Sequence, residues 1–144
     1  MILLFVFAGF SYTKDKPVPI QLDKEFTIKY GQRIHLKDAN FKIKFLAVKE
    51  DSRCPEDVLC IQAGNVKIKL KLQKPNIKKA TFIELNIPSK PQEAAYRGYT
   101  IKLVKLSPNP KAGQRTEPAK YEATLLVSKI VIKTGDPQVT KVNP

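Results

Sequence analysis

From Glu25 onward, apolar and polar residues alternate along this chain with a period of two. The clearest stretch is Val66–Gln73. Val66, Ile68, Leu70 and Leu72 face one way, and Lys67, Lys69, Lys71 and Gln73 face the other. A helix would scatter those four apolar residues around its circumference, so the spacing predicts a strand. Glu25–Lys29 and Arg33–Leu36 read as short strands, separated by Tyr30-Gly31-Gln32. Turn-forming Lys37-Asp38-Ala39-Asn40 then leads into Phe41-Lys42-Ile43-Lys44-Phe45. The phase breaks at Leu46-Ala47-Val48, which predicts a bulge or a strand buried on both faces. Thr81–Ile87 follows, with Ile83, Leu85 and Ile87 expected inward. Gln92–Tyr96 reads as one helical turn in a loop, and Tyr99–Leu106 as a strand. Tyr121–Ile132 reads as a last long strand, bent or bulged near Ser128-Lys129.

Short strands with turn signals about every ten residues predict an all-β, antiparallel β-sandwich of immunoglobulin-like kind with seven to eight strands; an open barrel is the competing arrangement. At 144 residues the chain has room for one domain with its own core. Its eleven prolines fall between the apolar patterns, as in an all-β protein. The expected organisation is residues 1–12 as a signal-peptide remnant or an N-terminal apolar strand, 13–22 as a linker, 23–133 as the sandwich and 134–144 as a tail. The apolar run Met1–Phe10 is too short to span a bilayer, and no transmembrane span is expected.

Charge changes the picture more than composition does. The formal net charge is +13, which suits an anionic partner. Of the 26 basic residues only Arg33, Arg53, Arg97 and Arg115 are arginine. Lysine is a hydrated point charge that also serves as a solubiliser, so the lysine faces read first as plain solvated surface. With no tryptophan, and no aromatics interleaved with the basic residues, nucleic acid is not an expected partner. Lys42 and Lys44 share one face of their strand, and Lys67, Lys69 and Lys71 one face of the next. Paired directly, those strands would set like charges opposite each other, at a cost that an anionic ligand would relieve. Lysine on an edge strand also guards against aggregation without any ligand.

The two cysteines, Cys54 and Cys60, lie at the bend between two alternating patterns. Joined, they close a seven-residue loop, a stabilisation of about 2 kcal/mol in the chain-entropy model. Such a bond implies an oxidising compartment: secreted, periplasmic or cell-envelope. The loop reads either as a pinned corner or as a pre-ordered element that a partner recognises. A catalytic dithiol is not expected, since those pairs lie closer in sequence beside a helix start. No metal and no cofactor are expected: two cysteines and the distant His35 do not complete a zinc site. The carboxylates Glu50, Asp51, Glu56 and Asp57 follow no cation-loop spacing, and Asp51 is expected to cap the turn with Arg53 as counter-charge. His35, the only histidine, falls on the polar side of its strand, and no nucleophile–base set or glycine-rich phosphate loop accompanies it. An enzyme is not expected.

Asp51-Ser52-Arg53-Cys54-Pro55, Val58, Cys60 and Ala63-Gly64, followed by the alternating Val66–Leu70, carry a resemblance. Gly98-Tyr99-Thr100-Ile101, Leu106-Ser107-Pro108 and Tyr121–Leu125 extend it. Together they resemble a small domain of uncharacterised secreted bacterial proteins and lipoproteins, over roughly Phe26 to Val127. Where that family often carries an aromatic residue two positions after the second cysteine, this chain has Gln62. The resemblance implies an exported β domain and no particular chemistry.

These features lead to an expected function. The chain would be an exported, non-catalytic module that binds or packs against an envelope or extracellular protein, or an acidic glycan. Its contacts would be Lys42, Lys44, Lys67, Lys69, Lys71 and Arg53, or the bridged loop. The alternatives are an inhibitor of a secreted protease that uses the Cys54–Cys60 loop, and a structural subunit assembling by strand donation.

Overall fold

The computed structural model describes residues 20–132, so the apolar run at 1–12 and the tail at 134–144 lie outside the described residues. The described residues form eight strands: β1 (Glu25–Lys29), β2 (Arg33–Leu36), β3 (Phe41–Asp51), β4 (Val66–Gln73), β5 (Thr81–Ile87), β6 (Glu93–Tyr96), β7 (Tyr99–Ser107) and β8 (Glu122–Lys129). A single 3₁₀ turn, Pro118–Lys120, precedes β8. All pairings are antiparallel. One sheet has the order β1-β8-β7-β6 and the other β2-β3-β4-β5.

The two packed sheets are those expected, but immunoglobulin-like connectivity is not what joins them. An immunoglobulin domain interleaves strands distant in sequence through Greek-key crossovers. Here β2 to β5 form one meander and β6 to β8 another, with β1 closing onto β8. The order is that of an up-and-down ring opened along two seams. At the seam between β1 and β2 the connecting residues stay tied to both sheets: Tyr30 N donates to Tyr121 O, extending the β1–β8 pairing, and Gly31 N to Phe45 O beside β2–β3. At the other seam Asn86 N of β5 donates to Pro91 O just before β6, while Leu103 N to Gln92 O extends the β6–β7 pairing.

The inner faces follow the period of two. Phe41, Ile43 and Phe45 of β3 and Val66, Ile68, Leu70 and Leu72 of β4 are fully buried. They meet Ile28, Ile101, Leu103, Leu106, Ala123, Leu125 and Val127 from the other sheet. Four buried aliphatic side chains on one strand contribute roughly 6–10 kcal/mol of gross burial, most of which chain entropy offsets. Phe41 and Tyr96 meet edge-on at 5.1 Å, and Tyr30 and Phe45 at 5.6 Å. Ile20 and Leu22, expected in the linker, already pack partly against this core.

The phase break in β3 is a pair of bulges, between Phe45 and Ala47 and between Val48 and Glu50. Each inserts one residue and flips the strand's parity. Two flips leave Val48 opposite Ile68 and Asp51 opposite Val66. Asp51 is thereby turned to the core side of the sheet, at the end where the cysteine loop begins.

Two expectations need correction. Gln92–Tyr96 is not a helical turn: Glu93–Tyr96 is strand β6, hydrogen-bonded to β7. Arg97 and Gly98 both have positive φ (48° and 85°), the signature of a two-residue hairpin turn of type I′. That turn folds β6 back on β7 whatever the helical preference of two alanines. Nor does the last strand run to Ile132 or bulge near Ser128. It ends at Lys129, in unbroken register with Tyr99 and Thr100, and the irregularity lies in β7 between Leu103 and Lys105. That bulge brings Leu106 inward beside Leu103.

Candidate functional site

The lysine rows come together on the outer face of the sheet β2-β3-β4-β5. The four-residue turn after Leu36 sets Leu36 opposite Phe41, and hence Arg33 opposite Lys44 and His35 opposite Lys42. On the other side of β3, Lys44 pairs with Lys71 and Lys42 with Gln73. One cross-strand row therefore reads Arg33–Lys44–Lys71, three like charges side by side with the outward Phe82 of β5 beyond.

The remaining lysines have different neighbours. Lys67 stands opposite Glu50, and Lys69 opposite Glu84, with the Lys69 ammonium also 5.3 Å from the Phe82 ring centre. The structure thus divides the face in two. Lys67 and Lys69 sit beside carboxylates, whereas Arg33, Lys42, Lys44 and Lys71 have none directly opposite. Those four, with Gln73, Lys74 and Pro75 from the start of the next turn, line an open cleft of about 180 Å³. Among the described residues, none of its basic groups lies within 4.0 Å of a carboxylate, and neither do Lys67 and Lys69, so the division of the face is one of cross-strand register.

Arg33 and Lys74 were not among the candidates taken from the sequence. The signal for Arg33 was present: counting back across the hairpin turn from the Leu36–Phe41 pair places it beside Lys44.

Arg53 lies elsewhere. Its guanidinium forks onto Asp51, with Nε donating to Oδ1 at 2.8 Å and Nη2 to Oδ2 at 2.7 Å. Nη1 also donates to the carbonyl of Leu106 at 2.6 Å, and Nη2 to that of Pro108 at 2.9 Å. The Tyr121 hydroxyl donates to Asp51 Oδ2 at 2.9 Å. Only 15% of the Arg53 side chain and 9% of Asp51 remain exposed. Burial works to raise the Asp51 pKa, but the hydrogen bonds from Arg53 and Tyr121 and the guanidinium charge outweigh it. The carboxyl therefore stays ionised below its usual range. Burial, then the bond to Asp51, push the Tyr121 hydroxyl up. Arg53 joins the end of β3 to the end of β7, one sheet to the other. Asp51 also accepts the Arg53 backbone N–H, as expected of a capping residue, at 3.4 Å.

The cysteine loop rests on this node. Cys54 and Cys60 are bonded, with Cα atoms 5.9 Å apart. At its base, Ser52 N donates to Asn65 O at 2.8 Å and Asn65 N to Ser52 Oγ at 3.0 Å. A Cβ on Gly64 would overlap the Ser52 carbonyl, so only glycine permits the two backbones to approach. The loop also leans on the segment after β7: Glu56 N donates to Pro110 O and Ala112 N to Asp57 Oδ1. The four nearby carboxylates do not converge. Glu50 accepts from Ser52, Asp51 holds Arg53, Glu56 pairs with Lys111 and Asp57 accepts from Ala112. Leu59 and Ile61, on either side of the second cysteine, are fully exposed, and Val58 is nearly half exposed.

Among the described residues, no helix is long and apolar enough to cross a membrane. No family model, curated protein or solved structure matches this chain.

Proposed function

We propose that this chain is an exported, non-catalytic β-sandwich module that binds an anionic envelope or extracellular component, an acidic glycan above all. The contact surface is the outer face of the sheet β2-β3-β4-β5. One observation carries this reading: Arg33, Lys44 and Lys71 stand directly side by side across three strands. Like charges so placed cost stability, and a bound polyanion turns that cost into affinity. Lysines serving only as solubilisers have no need of that arrangement. The Cys54–Cys60 bond supports export, because such bonds persist in oxidising compartments. The resemblance to exported β domains agrees with it.

The test is retention of the full chain on a sulfated polysaccharide matrix. Retention should fall steeply as salt rises, since each neutralised anion releases a counterion. Replacing Lys42, Lys44, Lys67, Lys69 and Lys71 together with glutamine should abolish it. A wild-type protein that flows through at low salt, or a fivefold variant retained like wild type, overturns the reading.

Protease inhibition is favoured by a separate observation, the full exposure of Leu59 on a covalently closed and pinned loop. Arg53 cannot be the displayed residue of such an inhibitor, because its side chain is held inside the Asp51 node. Leu59 would enter the specificity pocket instead. A panel of secreted proteases that prefer large apolar residues decides this: inhibition lost on Leu59→Asp supports it, and no inhibition at micromolar protein removes it.

A further inference from the structure

We infer that the cleft between Arg33, Lys42, Lys44, Lys71 and Lys74 is a seat for one tetrahedral oxyanion, a sulfate or phosphate ester group carried on an acidic glycan. This rests on the reading of the lysine face as a binding surface, and it adds a specific subsite and a ligand class.

The cleft differs from the rest of the face in three respects. Its basic groups come from β2, β3, β4 and the turn after β4, so positive charge closes in from several sides. Converging donors suit an anion with three equivalent oxygens better than a planar carboxylate gripped along one edge. Its charge also has no carboxylate opposite, in contrast to Lys67 beside Glu50 and Lys69 beside Glu84. Finally, its size of about 180 Å³ is below the roughly 300–1,000 Å³ typical of pockets that enclose whole small molecules. It suits a charged substituent whose parent chain lies outside. Arg33 supplies the rigid fork and the lysines charge, while the Gln73 amide lines the cleft and donates to the carbonyls of Ile77 and Lys78.

A glycan is the better carrier than a lipid. Pro75 is the apolar residue lining the cleft and Phe82, opposite Lys71, the half-exposed one beside it; one ring and one proline are little apolar surface to enter a bilayer beside a bound headgroup. The outward Lys69 and Lys67 of β4 run on from the cleft as a track for a polymer.

The experiment uses the full oxidised chain. In an NMR titration with inorganic phosphate, and separately with sulfate, against chloride at equal ionic strength, shifts should concentrate at Arg33, Lys44, Lys71 and Gln73. A larger response to one of the two anions names the ester. On sulfated and carboxylated polysaccharides of equal charge density, the sulfated chain should bind more tightly. Arg33→Gln and Lys71→Gln should each weaken it about tenfold, the loss of one charge-assisted contact. Lys67→Gln and Lys69→Gln should weaken it less than about twofold, as for remote screened charges. Urea unfolding of each variant checks that the sheet is intact. If the sulfated matrix retains the protein but all four variants lose affinity equally and the anion shifts scatter, the seat is overturned while the face remains a binding surface. If neither matrix retains the protein, both readings fall. Binding to anionic vesicles without binding to the glycan overturns the glycan as carrier.

Discussion

Lys44→Glu should make this protein more stable while making it a poorer ligand for polyanions. Lys44 is the middle of the row Arg33–Lys44–Lys71, with a like charge directly opposite on each side. A pair of charges opposite each other across strands is worth about 0.2–1 kcal/mol either way. The substitution removes two repulsions and installs two attractions, so the expected gain is about 1–3 kcal/mol at low ionic strength. Lys44→Gln removes only the repulsions and should gain about half as much. Against a total stability of roughly 5–15 kcal/mol such a gain is easily measured by urea unfolding. In about 1 M salt, where the Debye length is near 3 Å, the gain should shrink to a fraction. Lys69→Glu is the counter-test: it sets a new carboxylate opposite Glu84 and forfeits the contact with Phe82, so it should destabilise. A Lys44→Glu variant no more stable than wild type at low salt, or two variants shifted in the same direction, would refute the account of the face as divided into matched and unmatched charge.

Removing Arg53 breaks a nearly buried pair, so Arg53→Ala should lose about 3 kcal/mol or more in urea unfolding. In the double variant with Asp51→Ala the combined loss should be smaller than the sum by about 1–3 kcal/mol; additivity would mean that the fork contributes nothing as a unit. The folded protein holds the Asp51 pKa below the unfolded value near 3.8. The stabilisation is therefore complete above that pH and is lost as pH falls through the lower, folded value. Wild type should lose stability below about pH 4 more steeply than Asp51→Asn, as followed by urea midpoints. Gly64→Ala should destabilise strongly because its methyl group meets the Ser52 carbonyl, whereas the exposed neighbour Ala63→Gly should cost less than about 1 kcal/mol; equal effects would remove the close approach as the reason for glycine.

Much of the sheet content was legible because burial on one face imposes alternation. The pattern of Val66–Gln73 has one reading, and the strand lies where the pattern puts it. The phase break at Leu46-Ala47-Val48 was visible, but its number of inserted residues was not, since parity is restored only after a second bulge before Glu50. The hairpin at Arg97-Gly98 went unread because Glu93-Ala94-Ala95 has helical composition, and pairing with β7 decides against it. Connectivity was legible least of all. Alternation says which side of a strand is buried, and nothing about which neighbour lies beside it. A meander and a Greek key therefore share one hydrophobic pattern.

The same logic separates what holds this protein together from what it presents. The segment that looks most specified, Asp51 to Gly64, is tied into the fold. Asp51, Ser52, Arg53, the two cysteines and Gly64 each have an internal partner or a steric reason to be there. The outlying pieces Leu106, Pro108 and Tyr121 meet at the same node. Their co-occurrence across a sequence follows from one structural junction between two sheets and requires no ligand. Function has to be sought where interactions are left incomplete. Among the described residues, two places stand out beside the exposed run Ile130-Val131-Ile132: the apolar tip at Leu59 and Ile61, and the unmatched cations of β2, β3 and β4. The first exposes apolar surface on a rigid support. The second concentrates one sign of charge around a cleft, and that cleft also determines the size and shape of the group that would complete it.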